Sequence, residues 1–499
     1  MGFIKILILT IITMYIVNIL LMNLGKEEYG VIALFTSLNQ YISLFLVAIS
    51  GTIFRFVSLE YHKNNKSENI NKYYSTSFFS MLFLSILAFI ILYAITPMLK
   101  GFVNSPNLNS SEIELFFILS ISAFLISNLT SVFFVSGIIK HQFYLNDLSN
   151  IVAKSIQLLL VLILVNYLVD LTLYTYGLTL IFYSVFYLIF SIIISKVIMP
   201  ELIISMKYFS IKYLKNMLEM GTNVLLNNLG IMLYTGTDLI IVNIFLGTAT
   251  VTEYSISLQL AFFIAMVGTI FSRLFNSSLS KFIANYSSDF ISSQILMLSK
   301  IFLIYIGIFF ILLVVFSKKI LFFWLGFEYI YLYSILILLA LYQLLHQSTV
   351  LFSMYFTLVN KLKTPLKITI IAGITNIILS ILFLKFTSYG VYGIIFATII
   401  TVLFKTVIFN SFYTAYLLKM KISRIYKTFF PSFIFIIVYS WLCFILVDSI
   451  NTSNLYLLLV SLLTIVFVYL FLAYYLFFTK KEQVQVLHMT KLYYLVKKK

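Results

Sequence analysis

The 499-residue chain is 62% hydrophobic and only 10% charged, yet its formal net charge is +17. Soluble globular proteins carry about 25% charged residues, so this chain cannot cover a water-facing surface with polar groups, and its solvent is lipid. In a soluble protein such a positive excess suggests nucleic acid; here the lysines fall between apolar runs, where anionic headgroups attract them, and no nucleic-acid partner is expected.

Apolar runs of about 20 residues can cross the hydrocarbon core as helices. In chain order they fall near 3–22, 31–54, 76–97, 115–138, 148–168, 173–197 and 220–245. The series continues at 254–277, 300–323, 331–357, 366–386, 390–416, 428–448 and 454–478, about 14 in all. Barrel strands would alternate apolar and polar residues, and runs such as "FILLVVF" do not. Helices satisfy their own backbone groups in lipid, so the expected class is an all-α polytopic membrane protein. The first run exceeds a signal-peptide core of about 7–15 residues and no small-residue cleavage site follows, so it reads as a retained span.

Basic residues orient the bundle. With both termini inside, 27 of the 33 Lys and Arg fall on the inner side or its tail, as the positive-inside bias requires. The outer side keeps Lys26, Lys100, Lys318, Lys319 and Lys385, and Lys405 lies within a span. Pro97, Pro106, Pro200, Pro365 and Pro431 all sit in loops or at span ends, so bending is left to glycines such as Gly230, Gly236 and Gly268. The stretch "FSIKYLKNMLEM" at 209–220 places Ile211, Leu214, Met217 and Leu218 at helical spacing among lysines, which predicts a short interfacial helix behind a Ser210 cap. Cys443 is the lone cysteine, and the four histidines never reach a metal-binding spacing, so neither disulfide nor metal site is expected.

Three stretches echo one another: "NLGKEEYGVIAL" after span one, "FLGTATVTEYSISLQL" after span seven and "WLGFEYIY" before span ten. Each sets Leu-Gly before a short segment holding glutamate, then a tyrosine. A parallel repeat of two six-span halves and chance likeness in a chain this rich in Leu, Ile, Phe and Tyr both fit. Together with "ISGTIFRF" closing span two and "GTDLIIVNIF" in span seven, these stretches resemble the polysaccharide flippases of the multidrug/oligosaccharidyl-lipid/polysaccharide exporter superfamily.

The resemblance implies two six-helix lobes, 1–199 and 200–419, in a V around a central cavity. It adds two carboxy-terminal helices and a basic cytoplasmic tail over 420–499. It further implies alternating-access transfer of an undecaprenyl-pyrophosphate-linked oligosaccharide across the bacterial cytoplasmic membrane for surface polysaccharide such as O-antigen or capsule. Glycan polymerase and glycosyltransferases of the same pathway would be the protein partners, beside membrane lipids. The chain reaches span one with less lead-in than the resemblance implies. A cation-coupled multidrug antiporter of the same superfamily and a membrane glycan polymerase or acyltransferase are the competing readings.

Charged groups inside spans are costly and mark functional sites. Asn223, Asn227, Tyr234 and Asp238 share one face of span seven. Asp238 suits either coupling to a proton or sodium ion or an ion pair that locks the lobe. Asn146, Asn150, Lys154 and Gln157 form a stripe on span five, and Thr398, Thr401 and Lys405 one on span twelve. Arg55 and Arg273 close spans two and eight, where long cations also snorkel to headgroups. Gln343, His346 and Gln347 cluster on one face of span ten; interhelical hydrogen bonding is the plainer role for Gln343, and His346 and Gln347 are cavity candidates. Basic groups outnumber acids in this set, which suits a pyrophosphate headgroup. No G-x-x-x-x-G-K-[ST] loop and no soluble stretch long enough for a catalytic domain occurs, so neither ATP hydrolysis nor enzymatic activity is expected, and no cofactor beyond a coupling ion.

Overall fold

The computed structural model describes residues 2–62, 67–168, 170–448, 455–480 and 482–483. The side chains of Asn223, Asn227, Tyr234 and Arg273 and the basic tail from 484 onward lie outside the described residues. Every regular element among the described residues is helical, as lipid-exposed backbone requires. Among the described residues thirteen helical stretches are long and apolar enough to cross a membrane. The first two runs are two helices that follow one another in α1 (Gly2–His62), separated by the non-helical Gly25; the other twelve runs match one for one.

Gly25 has φ 79° and ψ −175°, a conformation essentially restricted to glycine. Gly247 (φ 86°, ψ 169°) and Gly326 (φ 93°, ψ −178°) adopt the same one. The tyrosines that follow, Tyr29, Tyr254 and Tyr329, are all buried. The three echoing stretches therefore share a backbone device as well as a composition.

The chain forms two compact units, Met1–Ser255 with Thr369–Ile394, and Ile256–Ile368 with Ile395–Lys499. The first contains α1, α2 (Ser67–Ile95), α3 (Ser110–Ile139), α4 (Phe143–Ile163), α5 (Leu173–Ile198), α6 (Ile211–Thr235), α7 (Thr237–Leu246) and the start of α8 (Thr248–Asn285). Asn109 caps α3 by accepting from the Ser111 N–H, and Thr172 with Thr175 forms a capping box on α5. Small buried residues of α5, Gly177, Ser184, Ser191 and Ser195, permit the close approach that membrane helices use in place of a hydrophobic drive. A Cβ at Gly177 would lie 2.7 Å from Leu119 Cδ1 of α3.

The segment between α5 and α6 is tied along the first turns of α2. Asn71 Oδ1 accepts from the Ile203 N–H at 2.9 Å, Ser75 Oγ from the Ser205 N–H at 3.1 Å and Thr76 Oγ1 from the Ser210 N–H at 3.1 Å. Ser210 is the N-cap residue of α6, but its side chain makes no capping bond. Residues 211–220 are the first turns of α6 and run on without a break, rather than forming a separate interfacial helix. Span seven is interrupted later, at Gly236 (φ −109°) between α6 and α7.

At the opposite end three turns are bonded together. Asn243 donates to the Phe102 carbonyl at 2.7 Å and accepts from the Asn104 N–H at 3.2 Å, while Asn104 O accepts from the Thr248 N–H. Glu27 accepts from Ser105 Oγ at 3.0 Å and Asn107 Nδ2 at 2.8 Å, and Lys26 lies 4.0 Å from Glu253. Thr252 Oγ1 donates to the Lys26 carbonyl, and Gly30 lies directly against the Thr248 backbone.

The second unit packs around α9 (Ser288–Val315), which is buried on nearly every side and accordingly apolar all round. It continues through α10 (Ser317–Leu325), α11 (Tyr333–Ser348) and α12 (Val350–Leu358); α13 (Lys363–Phe386) from Thr369 and α14 (Val391–Val402) up to Ile394 belong to the first unit, and the rest of α14, α15 (Ser411–Leu417), α16 (Ile422–Asp448) and α17 (Leu455–Phe477) to the second. Gly307 of α9 leaves room for the Tyr469 hydroxyl, which donates to the Ile304 carbonyl at 3.0 Å and fixes α17 there. Pro431 lies inside α16, because that helix begins six residues before the expected span; the proline is interior to the helix, not at its end.

Just past α17, Lys300 Nζ donates to Glu482 Oε1 at 2.9 Å and to the Phe477 carbonyl at 2.9 Å. Burial alone would raise the Glu482 carboxyl, but the Thr479 N–H and the Lys300 ammonium outweigh it and hold it below the ordinary 4.5.

Three substitutions test these contacts in the purified protein. Gly25→Ala, with open space around it but a forbidden φ, should cost about 1–3 kcal/mol. Gly30→Ala should lower the thermal midpoint further, because its Cβ meets the Thr248 carbonyl; a neutral Gly30→Ala would refute the contact between these turns. Glu482→Gln should cost ~2 kcal/mol at neutral pH. A depressed folded-state pKa means the contribution is complete above pH 4.5 and lost as pH falls through the lower folded value. Midpoints of wild type and Glu482→Gln measured down an acid series should therefore converge, and a constant gap would remove the ion pair as its cause.

Candidate functional site

Lys154 lies in the middle of α4, half-buried, and donates to Gln157 Oε1 at 2.7 Å. Gln157 is fully buried and directs its Nε2 at Thr179 Oγ1 of α5, 3.5 Å away. Lys154 also lies over the Tyr183 ring at 5.1 Å, and the Tyr183 hydroxyl donates to Asn150 Oδ1 at 3.2 Å. Thus Asn150, Lys154 and Gln157 share one network, as their spacing predicts. Asn146, the fourth member of the stripe, is spent on packing: it donates to the Phe134 carbonyl at 3.0 Å and sits against Gly137. Asp147 on the same helix pairs with Lys5 at 2.6 Å. Among the described residues no carboxylate lies within ion-pair distance of Lys154.

The α5 partners were not anticipated. Their signal is a stripe at Tyr176, Thr179, Tyr183 and Tyr187, spaced by three, four and four residues, which sets all four on one helical face. Tyr183 and Tyr187 stack at 5.7 Å between centroids.

Asp238 is buried in the first turn of α7, where the helix dipole favours a carboxylate. Tyr254, the tyrosine of the second echo, donates to Asp238 Oδ2 at 2.6 Å. The polar stripe expected along span seven does not run down one unbroken helix, because Gly236 separates Asp238 from the turns carrying Asn223, Asn227 and Tyr234. Arg55 is exposed at the end of α1 region facing α6 and reaches Met220 Sδ at 3.2 Å. It is not gathered into the Lys154 network.

The second unit holds its own cluster. Lys405 is half-buried in a π-helical stretch, Leu403–Asn410, a wider turn that often marks functional positions. Gln347 Nε2 lies 3.4 Å from His346 Nδ1, and a Cβ at Gly268 would fall 2.9 Å from Gln347 Oε1. Thr406 donates to the Leu345 carbonyl at 3.2 Å and Asn410 to Thr349 Oγ1 at 3.0 Å, anchoring the π-helix on α11 and α12. Thr398 and Thr401 are buried whereas Lys405 is not; Lys405 lies in the wider turn, beyond the reach of the α-helical spacing that set all three on one face.

The comparisons agree with this architecture. The model of the family described as polysaccharide biosynthesis protein matches residues 2–271. The uncharacterized membrane protein EpsK of Bacillus subtilis (strain 168) is 23% identical over 401 residues, 79% of this chain and 77% of that protein. Among solved structures, the lipid II flippase MurJ in an inward closed conformation aligns at a TM-score of 0.66 and 17% identity, covering 94% of this chain and 97% of that one. An inward-facing MATE multidrug resistance transporter of the MOP superfamily aligns at 0.67 and 14% identity, covering 86% and 99%. Identities this low establish the fold alone, whereas the family match spans more than half of the chain. A helical membrane bundle with these glycine turns and intramembrane cations thus belongs to the polysaccharide biosynthesis protein family and carries the fold of MOP-superfamily transporters.

Proposed function

We propose that the protein is a flippase for an undecaprenyl-pyrophosphate-linked oligosaccharide, working by alternating access in the bacterial cytoplasmic membrane with both termini inside. The observation that carries this reading is Lys154: a cation within a span, held by the neutral Gln157 and with no carboxylate in ion-pair distance among the described residues. A charge in that setting is stabilised by an incoming anion, and a pyrophosphate offers concentrated negative charge and several acceptors. Lys405, on the π-helix that bonds to the α11 turn carrying His346 and Gln347, is the corresponding group of the second unit. Asn150, Gln157 and Tyr183 would orient Lys154, and the lipid tail would stay in the bilayer.

The oligosaccharide would serve surface polysaccharide synthesis, supplied by glycosyltransferases and consumed by a glycan polymerase. In this reading the residues bind and release the headgroup and break no covalent bond. Lobes at 1–199 and 200–419 and a cytoplasmic basic tail belong to the same proposal. Asp238 is the site at which a proton or sodium ion would drive the cycle. An antiporter of cationic drugs is the competing reading, and Lys154, with no carboxylate in ion-pair distance among the described residues, argues against it.

Replacing Lys154 and Lys405 together by alanine should abolish surface glycan export in a complementation assay, each lysine alone costing roughly tenfold or more. Normal export by a well-expressed double variant would sink the headgroup assignment, and drug efflux by the wild type in a sensitised host would favour the antiporter. In proteoliposomes, Asp238→Asn should uncouple transfer of the lipid-linked glycan from an imposed proton or sodium gradient. Gradient-driven transfer at the wild-type rate would leave Asp238 a packing residue.

A further inference from the structure

The lysine-rich ends of the second unit are built from one repeated turn. After α12, Asn360 is left-handed (φ 55°) and the Lys361 N–H returns to the Phe356 carbonyl at 2.9 Å. After α15, Lys419 is left-handed (φ 51°) and the Met420 N–H returns to the Ala415 carbonyl at 3.0 Å. Both are Schellman closures, which satisfy the last helical carbonyls and fix the direction in which the chain leaves. The Tyr413 hydroxyl donates to the Lys361 carbonyl at 3.3 Å and its ring packs edge-on against Phe356 at 5.0 Å, so the two turns are held together although some sixty residues apart in sequence.

Between them lies a cavity of about 680 Å³, lined by Lys361 and Lys419 with Phe412, Tyr416 and Met420. Both lysines are exposed, and neither comes within ion-pair distance of a carboxylate among the described residues. Phe412 is 61% and Tyr416 70% exposed. Two cations above an open aromatic and aliphatic floor form a surface that water satisfies only at its upper edge. Tyrosine and lysine at the ends of spans are the residues that meet headgroups and upper acyl chains.

We infer that this cavity is a binding site for an anionic phospholipid of the leaflet on the lysine-rich side, its phosphate between Lys361 and Lys419 and its glycerol and acyl segment on Tyr416 and Phe412. A free phosphate could use the two lysines but not the floor, and a zwitterionic lipid could use the floor but brings its own cation to the lysines. The site is separate from the Lys154 and Lys405 clusters and does not depend on what the protein transports.

The test is native mass spectrometry of the full chain released from nanodiscs of equal phosphatidylglycerol and phosphatidylcholine. Phosphatidylglycerol should be retained preferentially, and excess inorganic phosphate should not displace it. Lys361→Gln with Lys419→Gln should lower retention roughly tenfold or more, since each basic residue near an anionic surface contributes on the order of a fivefold gain. Tyr416→Glu, which sets a like charge in an already exposed position, should do the same without touching a lysine. Lys100→Gln with Lys385→Gln, both exposed and on the lysine-poor side, should leave retention unchanged. Equal retention of both lipids, displacement by phosphate, undiminished retention by the lysine and Tyr416 variants, or equal loss in the Lys100 and Lys385 control would each overturn the site.

Discussion

Lipid offers the peptide backbone no hydrogen-bond partner, and the rest of this structure follows from that constraint. An unpaired backbone group in hydrocarbon costs several kcal/mol, so a crossing segment is helical, and any interruption must find its own partners. The interruptions here do so. Gly25, Gly247 and Gly326 turn the chain at a single residue; the Lys26 carbonyl beside Gly25 accepts from Thr252 Oγ1, and the Thr248 N–H beside Gly247 donates to the Asn104 carbonyl. The segment between α5 and α6 borrows Asn71, Ser75 and Thr76 of α2. The π-helix at Leu403–Asn410 is braced by Thr406 and Asn410.

The same solvent sorts the charges. Lys5 pairs with Asp147, and Lys300, nearly buried, pairs with Glu482 and a backbone carbonyl. Those cations are answered within the chain, as structural charges in low dielectric must be. Among the described residues Lys154 is answered by an amide oxygen and the face of a tyrosine ring, with no carboxylate in ion-pair distance. Such contacts partly replace water around an ammonium and leave its charge uncancelled. The difference between these lysines is one of partners, and sequence spacing alone does not reveal it: Asp147 and Lys154 are seven residues apart on one helix, yet a residue of α1 takes the carboxylate.

Much of the fold was legible because hydropathy and length decide it. Twelve of the runs match helical crossings one for one, and the first pair is two helices parted by the single non-helical residue Gly25. The Leu-Gly echoes were visible as composition, while their shared positive φ is a property of the backbone. Gly236 was legible as a point of bending, but not as the place where the helix carrying Asn223, Asn227 and Tyr234 ends; the π-helix around Lys405 has no compositional mark. Asn150, Lys154 and Gln157 come together because α4 is regular over them, whereas the Tyr176–Tyr187 stripe of α5 carries no mark of which helix it faces.

This contrast bears on what the cation clusters can do. A lysine on a regular, well-packed helix, with Gln157 locked against Thr179 behind it, is a preorganised contact whose position changes little when its ligand leaves. Lys405 sits instead in a π-helical turn, an irregularity found mostly as short stretches at functional positions. In the alternating-access cycle proposed above, Lys154 would be the fixed headgroup contact and the Lys405 stretch the element that changes, so two lysines of the same chemistry would serve through different backbones.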